Sequence, residues 1–335
     1  MSSDSDVSDA ASLEGRPVDE VVDQLVETRD AEADTVRAAL GYVSDDGVVS
    51  REAAQDSLAH VSKVVSTPET RVELARMELS EAREKASGVA DLDVVAARLS
   101  RFETQVERVE ERAAALGPRL QRLVERQERD GDLFEIGREI RQLTTDANEV
   151  QRDADDLMLA IEDGFGKWLA SNAVRVRELR EDVDALDASH DELAASVETL
   201  VDFATGESDD PPDGSERVSD PALAWATISQ QLAVHDLLAA DVRAELEGIR
   251  TWKAREDIEG DGSLDDLEPT LDRLAERRTR LRERLADVAR DEWVEQYGDQ
   301  VDAVETKLAA FDPPTSWETV QTAVDRHGVT PTDSA

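Results

Sequence analysis

Cysteine is absent from the 335 residues, so the chain has no disulfide frame, no thiol nucleophile and no thiolate metal site. Aromatics are nearly as scarce. Five Phe, five Trp and two Tyr make up 4% of the chain, too few for a thick globular core. No stretch approaches the ~20 apolar residues that span a membrane. The opening MSSDSDVSDAASLEG lacks the basic and hydrophobic regions of a signal peptide, so a cytoplasmic chain is expected. Phosphate-loop, nucleophile-elbow, zinc H-E-x-x-H and dinucleotide-turn patterns are all missing. His60, His190, His235 and His327 are scattered and form no ligand pair. These absences point to a non-catalytic chain with no cofactor and no metal.

What the chain has in quantity is helical periodicity. From Leu92, apolar residues recur at Val95, Leu99, Phe102, Val106, Val109, Ala113, Leu116, Leu120 and Leu123. A second series runs Leu133, Ile136, Ile140, Leu143, Ala147, Val150, Ala154, Leu157 and Ile161. The third is Val176, Leu179, Val183, Leu186, His190, Leu193, Val197 and Leu200; the fourth is Trp225, Ile228, Leu232, His235, Ala239, Val242, Leu246 and Ile249. Steps alternating between three and four residues have the period of paired helices with narrow seams. The fold class is all-α: an elongated antiparallel coiled-coil hairpin and a helical bundle, with a small N-terminal helical unit.

Charge is one-sided. Net charge is −41, with acids spread over the whole chain and 33 Arg against 5 Lys. This balance opposes nucleic-acid binding through phosphate neutralisation. It resembles the proteins of salt-in halophilic archaea, whose acidic surfaces are tolerable in molar salt because the screening length there shrinks to about 3 Å.

Punctuation residues divide the chain. Residues 1–15 read as a disordered tail and 16–66 as a small three-helix unit with Ser50 as a helix cap. Residues 67–204 read as the long antiparallel hairpin, opened by Thr67-Pro68 as cap and first helical residue. Pro118 interrupts the first series without shifting it, which predicts a kink and not an end, and Arg129 to Asp132 offers the turn. An acidic linker follows at 205–220. Residues 221–311 read as two long helices joined by a Gly/Asp linker at 258–268, and 312–335 as a short helix and polar tail.

Several residues stand out against the pattern. Between Ile161 and Val176 the repeat slips by one residue around Gly164 and Gly166, which predicts a hinge or local bulge. His190 and His235 occupy seam positions among aliphatic neighbours, where a buried polar residue can fix register. Arg278 interrupts a last seam of Leu271, Leu274, Leu281, Leu285 and Val288 in the same way, its charged head expected to reach solvent. Trp252 and Trp293 are expected to join the last two helices.

After the glycine turn at Gly131, the stretch FEIGREIRQLTTDANE over 134–149 resembles the cytoplasmic hairpin tip of methyl-accepting chemoreceptors. There a glycine-containing turn precedes a phenylalanine and an E-[IV]-R-x-L-A segment. Phe134, Glu139, Ile140, Arg141, Leu143 and Asn148 match it, with one residue fewer between Phe134 and Glu139. As a whole the chain resembles the haloarchaeal soluble coiled-coil proteins called halobacterial transducer proteins. It lacks the membrane helices and the coupling module of a receptor, and its ascending arm reads RLQRLVERQER over 119–129 where a receptor has Asn, Ala and Leu. The resemblance implies a tip that docks a histidine kinase or its coupling adaptor. The expected function is a scaffold or transducer-like signalling component that binds other proteins, with homo-oligomers open to it. Alternatives are a purely architectural rod, filament or chromosome associated, and a DNA-binding regulator using residues 16–66.

Overall fold

A computed structural model describes residues 13–29, 31–129, 131–206, 220–257 and 264–329. The expected N-terminal tail up to residue 12, the linker over 207–219, Asp130 of the turn, most of the second linker and the last six residues lie outside that set. The fold is all-α. Among the described residues, strand is confined to β1 Ser44–Asp45 and β2 Val48–Val49, a hairpin whose turn places Asp46 and Gly47 at positive φ. The chain forms two compact units, one of residues 1–84 and 102–165, the other of residues 85–101 and 166–335.

The first unit is built on three long helices. These are α3 Arg51–Ala86 up to residue 84, α4 Asp93–Glu128 from Phe102, and α5 Leu133–Leu159. Every member of the second apolar series is buried, and so is the first series apart from Leu99 and Leu120, which are half-buried. Flanking ion pairs give the directions. Arg112 pairs with Asp153, Arg119 with Asp146 and Arg126 with Glu139, so α5 folds back antiparallel along α4. Arg76–Glu110 and Arg83–Glu103 step oppositely in the same way, making α3 antiparallel to α4. The hairpin expected from two matching seams is therefore present, and α3 closes it into a three-helix bundle.

Helix starts follow local chemistry. The Ser50 hydroxyl accepts from the Ala53 amide at 3.1 Å, opening α3. Asp132 accepts from the Phe134 and Glu135 amides at 2.9 and 3.4 Å, opening α5. Pro68 departs from expectation, because α3 passes through it and no helix begins there. An interior proline costs a helix about 3 kcal/mol. Here Val61, Val65, Val72, Ala75 and Leu79 form one buried stripe on both sides of it, and that continuous burial outweighs the lost hydrogen bond.

The N-terminal helices α1 Val18–Arg29 and α2 Ala33–Leu40, with the turn Gly41–Val43, pack onto the start of α5. Val21, Val22, Leu25, Val36 and Leu40 share one core with Phe134, Ile136 and Ile140. The approach is close enough to need glycine. A Cβ on Gly137 would lie 2.3 Å from the Ala39 carbonyl oxygen.

At the other end of α5 the one-residue slip appears as a π-helical turn, Ala160–Phe165. A π turn holds one residue more than an α turn, which is what a slipped repeat requires. Phe165 is buried there against the Phe102 ring, centroid to centroid 5.6 Å. Space does not demand Gly164, since an added Cβ would meet nothing within 4 Å. Gly166 opens the short helix α6, Gly166–Ala170.

The second unit is organised by α7 Asn172–Thr205, α8 Pro221–Arg255 and α9 Leu267–Val288. All members of the third and fourth series are buried. Leu193 to Leu200 share a cluster with Ala222 to Leu232, while Val176 to Leu186 share another with Ala239 to Ile249, so α7 and α8 run antiparallel. The long last helix expected over 267–311 is two helices. Ala289 adopts an extended conformation (φ −61°, ψ 129°) and α10 Asp291–Leu308 turns onto α8. The break is where the apolar set shifts. Arg290 donates to the Ala204 carbonyl at 3.2 Å, and Trp293 turns inward while the neighbouring Val294 is exposed. Nor do Trp252 and Trp293 join each other. Trp293 packs with Trp225, Leu281 and Leu285, and Trp252 belongs to a separate contact with Trp168. α11 Trp317–His327 packs on α10.

Thermal or urea unfolding at matched salt checks the first unit. Ile140→Ala should cost about 2–5 kcal/mol as a fully buried truncation, and Arg141→Ala should stay within about 0.5 kcal/mol. Gly137→Ala should destabilise, reversing the gain of about 1 kcal/mol that alanine normally brings to a helix interior.

Candidate functional site

Three places concentrate polar side chains. The first is the hairpin end singled out by the resemblance. Phe134, Ile140 and Leu143 are buried under the N-terminal cap, Phe134 with the Arg29 guanidinium 5.2 Å from its ring centroid. Arg29 also pairs with Asp132 at 2.8 Å and Glu135 at 2.7 Å, clamping α1 to the first turn of α5. Glu139 is half-buried and paired with Arg126. Arg141 and Asn148 are exposed, and with Thr145 they form one outward flank at steps of four and three residues. Five of the six thus split into a buried face that holds the cap and an outward flank open to a partner, while Glu139 turns toward α4.

The second place gathers the polar seam residues. His190 of α7, His235 of α8 and Arg278 of α9 are 2%, 7% and 6% exposed. They form a polar layer between the two apolar clusters of the three-helix core. The Ser189 hydroxyl lies 2.9 Å from His235 Nε2. Arg278 does not reach out to solvent as its sequence position suggested; its Nε donates to Asp236 at 3.0 Å, and burial lowers its pKa against the opposing pull of Asp236. Neither histidine's Nδ1 has a hydrogen-bond partner. Burial pushes both histidines below their ordinary value of 6.5, helped by the charges of Arg277 and Arg278 at His190 and of Arg278 at His235.

The third place escaped the sequence reading. At the break between α6 and α7, Arg175 turns back with 1% exposure. Its Nη1 donates to the Trp168 and Leu169 carbonyls at 3.2 and 3.0 Å, serving carbonyls that the end of α6 leaves open. Its Nη2 meets Glu256 at 2.9 Å, and its plane covers the Trp252 ring at 3.8 Å. Trp252 Nε1 donates to the same carboxylate at 2.7 Å, and Trp168 meets Trp252 edge-on at 5.3 Å. Arg98 lies 4.1 Å over Trp168 and bonds Glu178 and Glu245 at 3.1 and 2.7 Å. Burial lowers the Arg175 pKa and Glu256 opposes the shift. Nothing periodic marks Arg175. It directly precedes Val176, where the third series begins, and reads there as an ordinary flanking charge.

Beside this cluster lies a cavity of about 590 Å³ in the second unit, bordered by Arg98, Glu178, Asp182, Glu245 and Trp317. Its polar groups are largely spent on one another. Arg98 holds both glutamates, and Asp241 accepts from the Thr315 amide and Trp317 Nε1, each at 2.8 Å. Desolvation and the nearby Glu245 raise the Asp182 carboxyl.

No family model, curated protein or solved structure matches the chain. A functional reading rests on these geometries.

The polar layer generates a pH dependence. A histidine held below its unfolded pKa takes up its proton more readily in the unfolded chain, so stability rises with pH through that interval. Full stability should hold above about pH 6.5, falling as pH drops below it. Urea unfolding across that range should show the loss, and His190→Leu combined with His235→Leu should flatten it. Asp182 and Glu305, whose carboxyls burial raises, act in the opposite sense at lower pH.

Proposed function

We propose that this chain is a non-catalytic helical scaffold, a transducer-like signalling component of a halophilic archaeon that binds other proteins through the outward flank of α5 beside the hairpin turn. The observation that carries the reading is the split at the hairpin end. Its inner face is clamped by α1 and α2, while Arg141, Thr145 and Asn148 on the flank add nothing to the core. A stiff mount with an uncommitted polar flank suits recognition, since little ordering entropy is lost when a partner docks. Among the tip residues, Arg141 and Asn148 contact the partner, and Phe134, Ile140 and Leu143 hold the backbone that presents them. A histidine kinase or its coupling adaptor is the partner implied by the resemblance at 134–149.

Arg141→Glu with Asn148→Glu should abolish co-purification with that kinase or adaptor from the host at molar salt, because rim charges govern specificity and association rate. The helical melting curve should not move. Retention of the partner by the double variant removes the signalling reading. Sedimentation of the intact chain as long assemblies would then favour the architectural rod.

A further inference from the structure

On α4, arginine recurs at 119, 122 and 126, with Arg129 just past the helix end, steps of three, four and three that put the three helical ones on one side of the helix. Like charges at these spacings destabilise a helix, so a fold that keeps them has to offset them. Three are paired: Arg119 with Asp146, Arg126 with Glu139, and Arg129 with Glu125 at 3.3 Å. Arg122, exposed at the centre of the stripe, makes no ion pair among the described residues. Arg138 faces the stripe from α5, its guanidinium 2.7 Å from Glu135. Between the two helices runs a groove of about 480 Å³, bordered by Arg119, Arg122, Arg126 and Arg138 over Leu123 and Leu143, with Glu139 as its one carboxylate. Against the carboxylates that pair with them, Asp146, Glu139 and Glu135, the four arginines leave one uncompensated positive charge, on Arg122, in a chain with 79 acidic and 38 basic residues.

The geometry points to this groove as a docking site for an acidic peptide segment of a partner protein. Each guanidinium carries five N–H donors, so the arginines already paired within the chain keep donors for a second carboxylate, and Arg122 has all of its own. Arg119 to Arg126 covers about 10 Å of helix, which matches a segment carrying several carboxylates better than a single small anion. The volume lies within the roughly 300–1,000 Å³ usual for ligand sites. Charge argues against a nucleic acid. A long polyanion would extend past the groove onto the acidic surface of a −41 chain, whereas a short segment stays on the groove's arginines; in molar salt, where the screening length is about 3 Å, only such direct contacts count. The groove and the Arg141 flank occupy different sides of α5, since Glu139, Gln142 and Asp146 face α4 and Arg141 and Asn148 do not. The inference therefore stands apart from the identity of any kinase or adaptor.

Fluorescence anisotropy of the intact chain with a labelled oligo-glutamate peptide tests it, at the lowest salt that leaves helical circular dichroism unchanged. The peptide should bind, and more weakly as salt rises. Arg122→Glu should weaken binding about tenfold or more, the effect of losing a charge-assisted contact. Arg122→Lys should fall between, since a point charge lacks the guanidinium fork. Arg141→Glu should bind as the unmodified chain does, so a failure at the groove and a failure of the flank reading are separable. Equal affinity of Arg122→Glu and the unmodified chain overturns the proposal. So does displacement of the peptide by inorganic phosphate at equal charge concentration, or tighter Arg122-dependent binding of a single-stranded oligonucleotide.

Discussion

The constraint on which the architecture depends is the narrowness of its seams. Apart from the start of α5 and the first half of α8, where adjacent residues are buried, the buried stripes are narrow and made mostly of Ala, Val and Leu, because the chain has few aromatics to thicken them. Such a stripe does not choose its neighbour, since one heptad face matches another. The arginines beside it make the choice. In a chain dominated by carboxylates, two helices that approach without intervening cations repel each other. Arg76 and Arg83 reach from α3 to α4, Arg112, Arg119 and Arg126 from α4 to α5, and Arg277 and Arg284 from α9 to α7. One exposed pair contributes only about 0–1 kcal/mol. Repeated along an interface, such pairs set partner and direction, which apolar contact of this kind leaves open.

The same constraint governs how far the sequence could be read. Heptad series give helices, buried faces and the hairpin, because a seam leaves its period in the chain. Ser50 as a cap and the bulge near Gly164 were legible for local reasons of the same sort. Contacts between distant segments leave no period. The cap of α1 and α2 over Phe134 and Ile140 could not be inferred from either stretch alone. Gly137 was its one trace, a glycine beside Ile136 on a seam that otherwise carries larger apolar residues. Pro68 and the break at Ala289 misled in opposite directions. A signal for a helix start lost to continuous burial along α3, and an apparently unbroken helix ended where Trp293 and Arg290 found better partners around a corner.

Arg175 illustrates the largest class of illegible residue. A buried guanidinium is expensive, and its desolvation is repaid only when its donors are satisfied together. Two carbonyls and one carboxylate serve its two Nη groups here and one indole face covers its plane, supplied from α6 and the end of α8, while the buried Nε is left without a partner among the described residues. The side chain stitches a chain break to a neighbouring helix, a task for which a lysine offers too few directed donors. Its conspicuous chemistry is accounted for by structure, which leaves the less conspicuous arginines on α4, exposed and only partly paired, as the better ground for recognition.

The layer of His190, His235 and Arg278 completes the argument about specificity. Apolar clusters lie on either side of it, and the residues next to it, Leu186 and Ala239 on one side and Leu193 and Leu232 on the other, are all aliphatic. Without the layer, sliding α8 by one heptad against α7 would replace one set of aliphatic contacts by another at little cost. With it, the slide would bury a histidine or the guanidinium against leucine, stripped of Ser189 and Asp236, at the penalty of an unsatisfied buried polar group, about 1–3 kcal/mol and more for a charge. The layer lowers the stability of the native register, as the depressed histidines attest, and lowers that of its competitors further. Arginines on the flanks select which helices meet, and the buried polar layer fixes where along their length they do.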